Sequence, residues 1–276
     1  MIKIVTDSFS ALCRQDLENS DLNFLLATCN LDGKTFPDSL DFKNDVLNIQ
    51  QSYSTSPSAT EYYNTFSKIL MNGDDILCIT ASSQICSAYS NAKIAAKAAG
   101  AIYFGNTEGN EKIYVLNSNT VAGGQLLAIF KAKQLIEAGI DLKGIASELE
   151  AFCGKIKTFF TTAKFDNPIF DKRIHRRDHF SPSPILGKRS CFTMDNGCIR
   201  YLGTIKYGYT EVKKISEEFD NPAQIVVNYS DDLNYIDSVY EYLNNFFPHA
   251  NIIKRKIPLS LLIHLRNETL GISAAE

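Results

Sequence analysis

Residues 73–100 read GDDILCITASSQICSAYSNAKIAAKAAG. Ile76–Thr80 is an apolar run of strand length, and Ser87–Ala99 is rich in good helix formers, with Gly100 where a helix commonly stops. Between them, Ala81-Ser82-Ser83-Gln84-Ile85-Cys86 is a turn of small hydroxyl and thiol side chains. In an α/β sheet such a turn lies at the carboxyl ends of the strands, where ligands bind. The free N–H groups and positive dipole end of the next helix attract an anion there, and Ser or Thr hydroxyls donate to it without adding charge. The same residues would serve as a helix N-cap with no ligand. The stretch therefore specifies a strand–turn–helix unit and leaves its use open.

The pattern recurs on both sides. Lys3–Val5 is a short strand ending in Thr6-Asp7-Ser8, and Lys112–Leu116 is another, ending in Asn117-Ser118-Asn119-Thr120. A long helix follows over Val121–Ala138 and stops at Gly139, with Gly123-Gly124 near its start allowing close backbone approach. Three polar strand-to-helix turns predict a parallel sheet with one polar edge. Neither a G-x-G-x-x-G fingerprint nor a P-loop lysine motif occurs. Asn23–Asn30 reads as one strand closed by the turn Leu31-Asp32-Gly33-Lys34. Ser58 and Glu61 have capping-box spacing behind Pro57, and Tyr62, Phe66, Ile69 and Leu70 give the helix a core face. Thr55 lies just outside that cap, where it can make a local turn bond or bind something else.

A helix over Lys143–Cys153 leads to a strand at Thr158–Ala163, which enters a second region. From Asp166 the character changes: Asn167-Pro168 and Ser181-Pro182-Ser183-Pro184 are loop signals. They flank Asp171-Lys172-Arg173-Ile174-His175-Arg176-Arg177-Asp178-His179, the densest basic run. That run is either a solvated loop paired with acids or a docking place for an anionic partner or phosphate. A hairpin is expected around Asp195-Asn196-Gly197, helices over Thr210–Phe219 and Asp231–Phe247, and strands at Gln224–Tyr229, Ile252–Ile257 and Leu261–Leu265. The expected architecture is α/β: an N-terminal three-layer parallel-sheet domain over 1–156 and an α+β domain over 157–276.

A chain of 276 residues suits this two-domain plan. A net charge of −3 and a pI near 5.9 give no general attraction to nucleic acid. No apolar run approaches the roughly 20 residues needed to span a bilayer. Seven cysteines without a C-x-x-C pair fit reduced thiols, with neither zinc site nor disulfide framework. These features describe a soluble cytoplasmic protein.

A hydrolase would need a nucleophile and a base; Ser82, Ser83 or Cys86 could supply the first and His264, within the apolar run Leu261–Leu265, the second. No G-x-S-x-G elbow accompanies them, and the scattered histidines do not suggest a metal site. A binding protein needs less: an anionic head group on the strand-end hydroxyls and an apolar tail in the crevice. Burying about fifteen methylenes at ~0.8 kcal/mol each gives ~12 kcal/mol before ordering costs.

Taken together, the motifs resemble the DegV family of fatty-acid-binding proteins, which in many bacteria present acyl chains to a fatty acid kinase. Lys3-Ile4-Val5-Thr6-Asp7-Ser8 matches the family's K-I-V-T-D-S, and Thr55-Ser56-Pro57-Ser58 is similar to its T-S-Q-P-S less one residue. Ser82–Tyr89 is similar to S-S-x-L-S-G-T-Y, and Ile113–Ser118 to I-Y-V-I-D-S. The likeness runs from residue 3 to about 272. Asp171-Lys172-Arg173-Ile174 resembles G-G-R-I without its glycines, and His264–Gly271 resembles H-T-G-P-G-A-L-G with the histidine kept and Gly-Pro-Gly shifted or lost.

The resemblance implies a long-chain fatty acid lying between two domains, with no catalysis by this chain and no cofactor besides the ligand. Its carboxylate would be held by Thr55 and by a serine of the second motif. Cys86 stands at the last serine of that motif, and a thiol is a poor donor, so the bond would be weakened or moved to Ser82 or Ser83. Ser118, Arg173 and His264 complete the implied ligand set, the counterparts of Arg173 and His264 lying near the head group or the kinase-docking face. A fatty acid kinase catalytic subunit is the implied partner, with transient membrane contact and no nucleic acid.

Overall fold

The computed structural model describes residues 1–18, 22–38, 52–105, 111–163, 187–230, 234–266 and 268–275. Strand β1 (Ile2–Asp7) pairs in parallel with β2 (Leu22–Leu25), which follows helix α1 (Arg14–Glu18), on one side and β6 (Asp75–Thr80) on the other. Strand β7 (Ile113–Asn117) extends the sheet to the order β2-β1-β6-β7. All four run the same way, so their polar ends share one edge, as the repeated turns predict. Side chains alternate across this sheet. Val5, Ile76, Cys78 and Val115 face α2 (Ala59–Met71) and α3 (Ala88–Phe104); Ile4, Leu77, Ile79 and Leu116 face α4 (Gly123–Glu137) and α5 (Leu142–Cys153).

Strand β8 (Ile156–Thr162) begins a six-stranded mixed sheet. With β9 (Lys188–Asp195), β10 (Cys198–Lys206), β11 (Gln224–Tyr229), β12 (Asn251–Lys256) and β13 (Leu270–Ala275), its order is β10-β9-β8-β13-β11-β12. Only β11 and β12 pair in parallel. Helices α6 (Tyr209–Ser216) and α7 (Ile236–Phe246) cover its outer face around Phe159, Ile225 and Ile272.

Helix α4 lies between the two sheets and is buried on nearly every side, including Leu126, Leu127, Ala128 and Ile129. Its glycines make this possible: a Cβ on Gly123 would stand 2.5 Å from Asn228 Oδ1 and 2.8 Å from Val226, and one on Gly124 would stand 2.6 Å from Thr158 Oγ1. A small third sheet has the order β4-β3-β5, formed by β3 (Thr28–Leu31), β4 (Lys34–Pro37) and β5 (Ser52–Thr55).

Three expectations require correction. Helix α3 does not stop at Gly100, which is buried within it; it ends at Phe104, and Gly105 takes the left-handed conformation (φ 65°). A glycine inside a helix costs only about 0.5–1 kcal/mol relative to alanine, less than the packing of Ala92, Ala95 and Ala99 beside it returns. The stretch Asn23–Asn30 is not one strand. It breaks at Leu26-Ala27, where Ala27 N–H donates to Ser8 Oγ (2.9 Å) and Ala27 O accepts from Asp38 N–H (2.7 Å), and the chain passes to another sheet. Leu261–Leu265 is part of a helix, α8 (Leu259–Leu265), seated on Pro258 O. All seven of its residues are buried, so the run has no periodicity to separate helix from strand. The basic run Asp171–His179, Arg173 included, lies outside the described residues.

Candidate functional site

The polar edge of the parallel sheet is organised around Asp7. Its carboxylate is fully buried and accepts from Ala81 N–H (3.1 Å), Phe9 N–H (3.2 Å), Gln125 Nε2 (3.1 Å) and Tyr62 OH (3.4 Å). These donors come from three strand-end turns or helices besides its own, so one residue gathers β1, the β6–α3 turn, α2 and α4. None carries charge, and burial raises the carboxyl from 3.8 to about 6. The signal for Asp7 in the sequence was only its place at the end of the first strand, and it was missed as a site residue.

The turn after β6 holds Ser82 and Ser83. Ser82 is buried; its Oγ donates to Gly197 O (2.7 Å) and accepts from Gln84 N–H (3.2 Å). Ser83 is exposed: Asn117 Nδ2 donates to its Oγ (2.9 Å), and its N–H donates to Asn117 Oδ1 (3.1 Å). Cys86 is half-buried and packs on the apolar cluster between the sheets. Ser118, on the turn after β7, is buried and folded onto its own turn, donating to Thr120 O (3.1 Å) and accepting from Thr120 N–H (3.3 Å).

Thr55 ends β5 opposite Thr28, is exposed, and among the described residues makes only a long 3.5 Å bond to Thr28 O. The turn it enters is tied to the start of α3 by Asn91 Nδ2 on Pro57 O (2.8 Å), and Ser58 with Glu61 forms the expected capping box. The turns carrying Thr55 and Ser82–Ser83 are thus on the same edge of the molecule.

His264, 2% exposed on α8, meets this edge through Ser54, whose Oγ is 3.0 Å from His264 Nε2. Ser54 Oγ also lies 2.8 Å from Ser260 O, to which it can donate, and the sense of its bond to His264 follows the tautomer of the ring. Beside this pair, Ser56 Oγ and Ser260 Oγ are buried with no partner among the described residues. Ser54, Ser56 and Ser260 were not anticipated, because the contacts joining β5 to α8 span more than 200 positions of chain.

Behind the hydroxyl edge the two sheets meet in an apolar slot. Ile85 and Val121 line it from the strand-end turns, Phe160, Phe192, Met194 and Ile199 from β8–β10, and Leu261 and Leu265 from α8; among the described residues Thr193 is the one polar residue on its wall. The walls close to a void of about 10 Å³, the size of a single water. Among the described residues no His, Cys, Asp or Glu group could hold a metal ion, and none of the seven cysteines forms a disulfide. No helix there is long and apolar enough to cross a membrane.

A parallel sheet whose polar strand ends face a second, mixed sheet across an apolar seam defines a class of two-lobed α/β protein. Residues 1–176 match the DegV family, described as uncharacterised proteins, and the chain belongs to that family. A DegV domain-containing protein of Clostridium perfringens (strain 13 / Type A) is 26% identical over 278 aligned residues, covering 95% of this chain and 94% of its own. The fold is that of a stearic acid-binding protein from Eubacterium ventriosum, with TM-score 0.84 and 19% identity over 100% of this chain and 98% of that one. It is likewise that of the Streptococcus pneumoniae Fatty Acid Kinase (Fak) B3 protein loaded with linoleic acid, with TM-score 0.80 and 19% identity over 100% and 99% of the two chains.

Proposed function

We propose that this protein binds a long-chain fatty acid between lobes 1–156 and 157–276 and performs no chemistry on it. The observation that carries the reading is the slot: among the described residues its wall is apolar but for Thr193, and it starts at the turns that bear the hydroxyls. The carboxylate is placed against Thr55, Ser82, Ser83 and Cys86, with His264 presented by Ser54. Ser118 shapes its turn, and Arg173 is the further head-group contact of this reading. Unspent hydroxyls at Ser56 and Ser260 support an acceptor-rich head group at this edge. The acyl chain supplies affinity and the hydroxyls supply orientation, since each bond to the charged head adds roughly 1.5–3 kcal/mol. The likeness in fold to a fatty acid kinase B3 protein supports presentation of the bound acid to a kinase catalytic partner. An acyl-ester hydrolase lacks comparable support: Ser82 gives its proton to Gly197 O, and Ser83 is bonded to Asn117 rather than to a base.

Native mass spectrometry of gently purified protein tests this. The expected spectrum carries one added mass of fatty-acid size, exchangeable for stearic or linoleic acid. Protein that emerges bare and takes up neither acid overturns the proposal.

A further inference from the structure

Strand β9 pairs with β8 only from Ser190 to Thr193, opposite Thr162 to Phe159. Beyond Thr193, its last residues Met194 and Asp195 pair with β10 alone, through Ile199 and Cys198. The tip of this hairpin is therefore a two-stranded ribbon that parts from β8, an arrangement of marginal stability by itself. It turns through Asn196 (φ 48°) and Gly197 (φ 81°), a pair of left-handed residues that matches the twist of a tight hairpin. At its base the register shifts between Tyr201 and Gly203, and Gly203 has φ 108°. Such a bulge is a natural place to bend.

Two features place this ribbon over the slot. Met194 and Ile199 form part of the slot wall. The tip is lodged against the strand-end turns of the other lobe: Ser82 Oγ donates to Gly197 O (2.7 Å), and a Cβ on Gly197 would stand 2.7 Å from Ser82 Oγ and 3.0 Å from Asn119 Oδ1. Ser82 thus spends its only proton on a carbonyl of the ribbon. With a void of about 10 Å³, the slot admits a hydrocarbon chain only when part of its wall moves. Of the strand residues in that wall, Met194 and Ile199 pair with one neighbouring strand only, whereas Phe160 and Phe192 are paired on both sides.

We infer that the Met194–Ile199 ribbon is a gate to the slot and that the Ser82–Gly197 hydrogen bond is its latch. This inference rests on the fatty-acid reading for what passes the gate. An arriving carboxylate competes with Gly197 O for the Ser82 hydroxyl, so engaging the head group and releasing the ribbon are one exchange of acceptors. No covalent step is involved.

The test separates the latch from the ligand. Gly197→Ala forces the tip away from Ser82; Gly33→Ala serves as its control. Gly33 occupies the same left-handed position (φ 80°) in the β3–β4 hairpin, but nothing lies within 4 Å of its Cβ position. Hydrogen exchange on ligand-free protein is expected to show amides 194–199 exchanging about 3- to 10-fold faster in Gly197→Ala and in Ser82→Ala than in wild type, the loss of one ordinary hydrogen bond. Gly33→Ala leaves them unchanged. Equal exchange in wild type and Ser82→Ala overturns the latch, even if Gly197→Ala fails to fold. Stopped-flow mixing with cis-parinaric acid, a fluorescent fatty acid, is expected to show faster association in Gly197→Ala by a similar factor. Unchanged association with faster exchange overturns the gate. Failure of wild type to bind the probe overturns the fatty-acid reading and the gate with it, while exchange still decides the latch.

Discussion

The two sides of the slot are built on opposite terms. The side from the parallel sheet gives Ile85 and Val121 to the apolar wall, while the strand-end turns at its rim are polar and largely satisfied: Ser82, Ser83 and Ser118 each have partners within the protein, and Asp7 gathers four donors. The wall from β8–β10 and α8 is apolar, and its side chains meet those opposite without filling the seam. A ligand must therefore exchange hydrogen bonds at the rim of the first side and displace side chains on the second. Head-group contacts there are substitutions rather than additions, and the net gain per bond falls accordingly.

The comparison breaks most readily at Asp7. Its carboxyl titrates near 3.8 in the unfolded chain and near 6 when folded. Between those values the folded protein holds the extra proton, so stability falls as pH rises through that window and is level above it. A shift of this size corresponds to about 3 kcal/mol. Urea unfolding from pH 3.5 to 7 should show that decline in wild type and its loss in Asp7→Asn; parallel curves would refute the assignment. On the apolar wall, Met194→Asp sets a charge in the slot from a half-buried position, and affinity for stearic acid by isothermal titration should fall about 100-fold. An unchanged affinity would mean that the chain lies elsewhere.

Smaller effects sharpen the contrast between free and committed hydroxyls. Thr55→Ala should leave the melting temperature nearly unchanged, because the residue is exposed and makes one long bond, yet cost about ten-fold in affinity. Ser118→Ala should do the reverse, lowering stability by about 1 kcal/mol with affinity held within about two-fold. If both variants behave alike, the division of the polar rim into ligand-facing and turn-building groups fails.

What the sequence made legible was local chemistry. The three strand-end turns were written in short polar runs after apolar ones, and the hairpins at Asp32-Gly33 and Asn196-Gly197 in pairs that favour left-handed backbone. Gly123-Gly124 announced close approach, which the structure shows against Val226, Asn228 and Thr158. The parts that were hidden depend on distant partners. Leu259–Leu265 lacks periodicity because it is buried all round. Strand β13 escaped notice because LGISAA has few strand-forming side chains; Gly271 is there because a Cβ would stand 2.8 Å from the Phe160 ring on the neighbouring strand. Likewise, nothing near Ser82 in the chain announces Gly197, 115 positions away.

Helix α4 has one more consequence, for recombination. Its first turn is seated on Val226, Asn228 and Thr158, while Leu126–Ile129 pack in the cluster that includes Leu77 and Ile79. A chimera that joins the first 156 residues to the corresponding second part of a relative must import a seat for Gly123 and Gly124, or the helix will not close down. Crossovers within the family are expected to succeed where both glycines and their receiving residues come from the same parent.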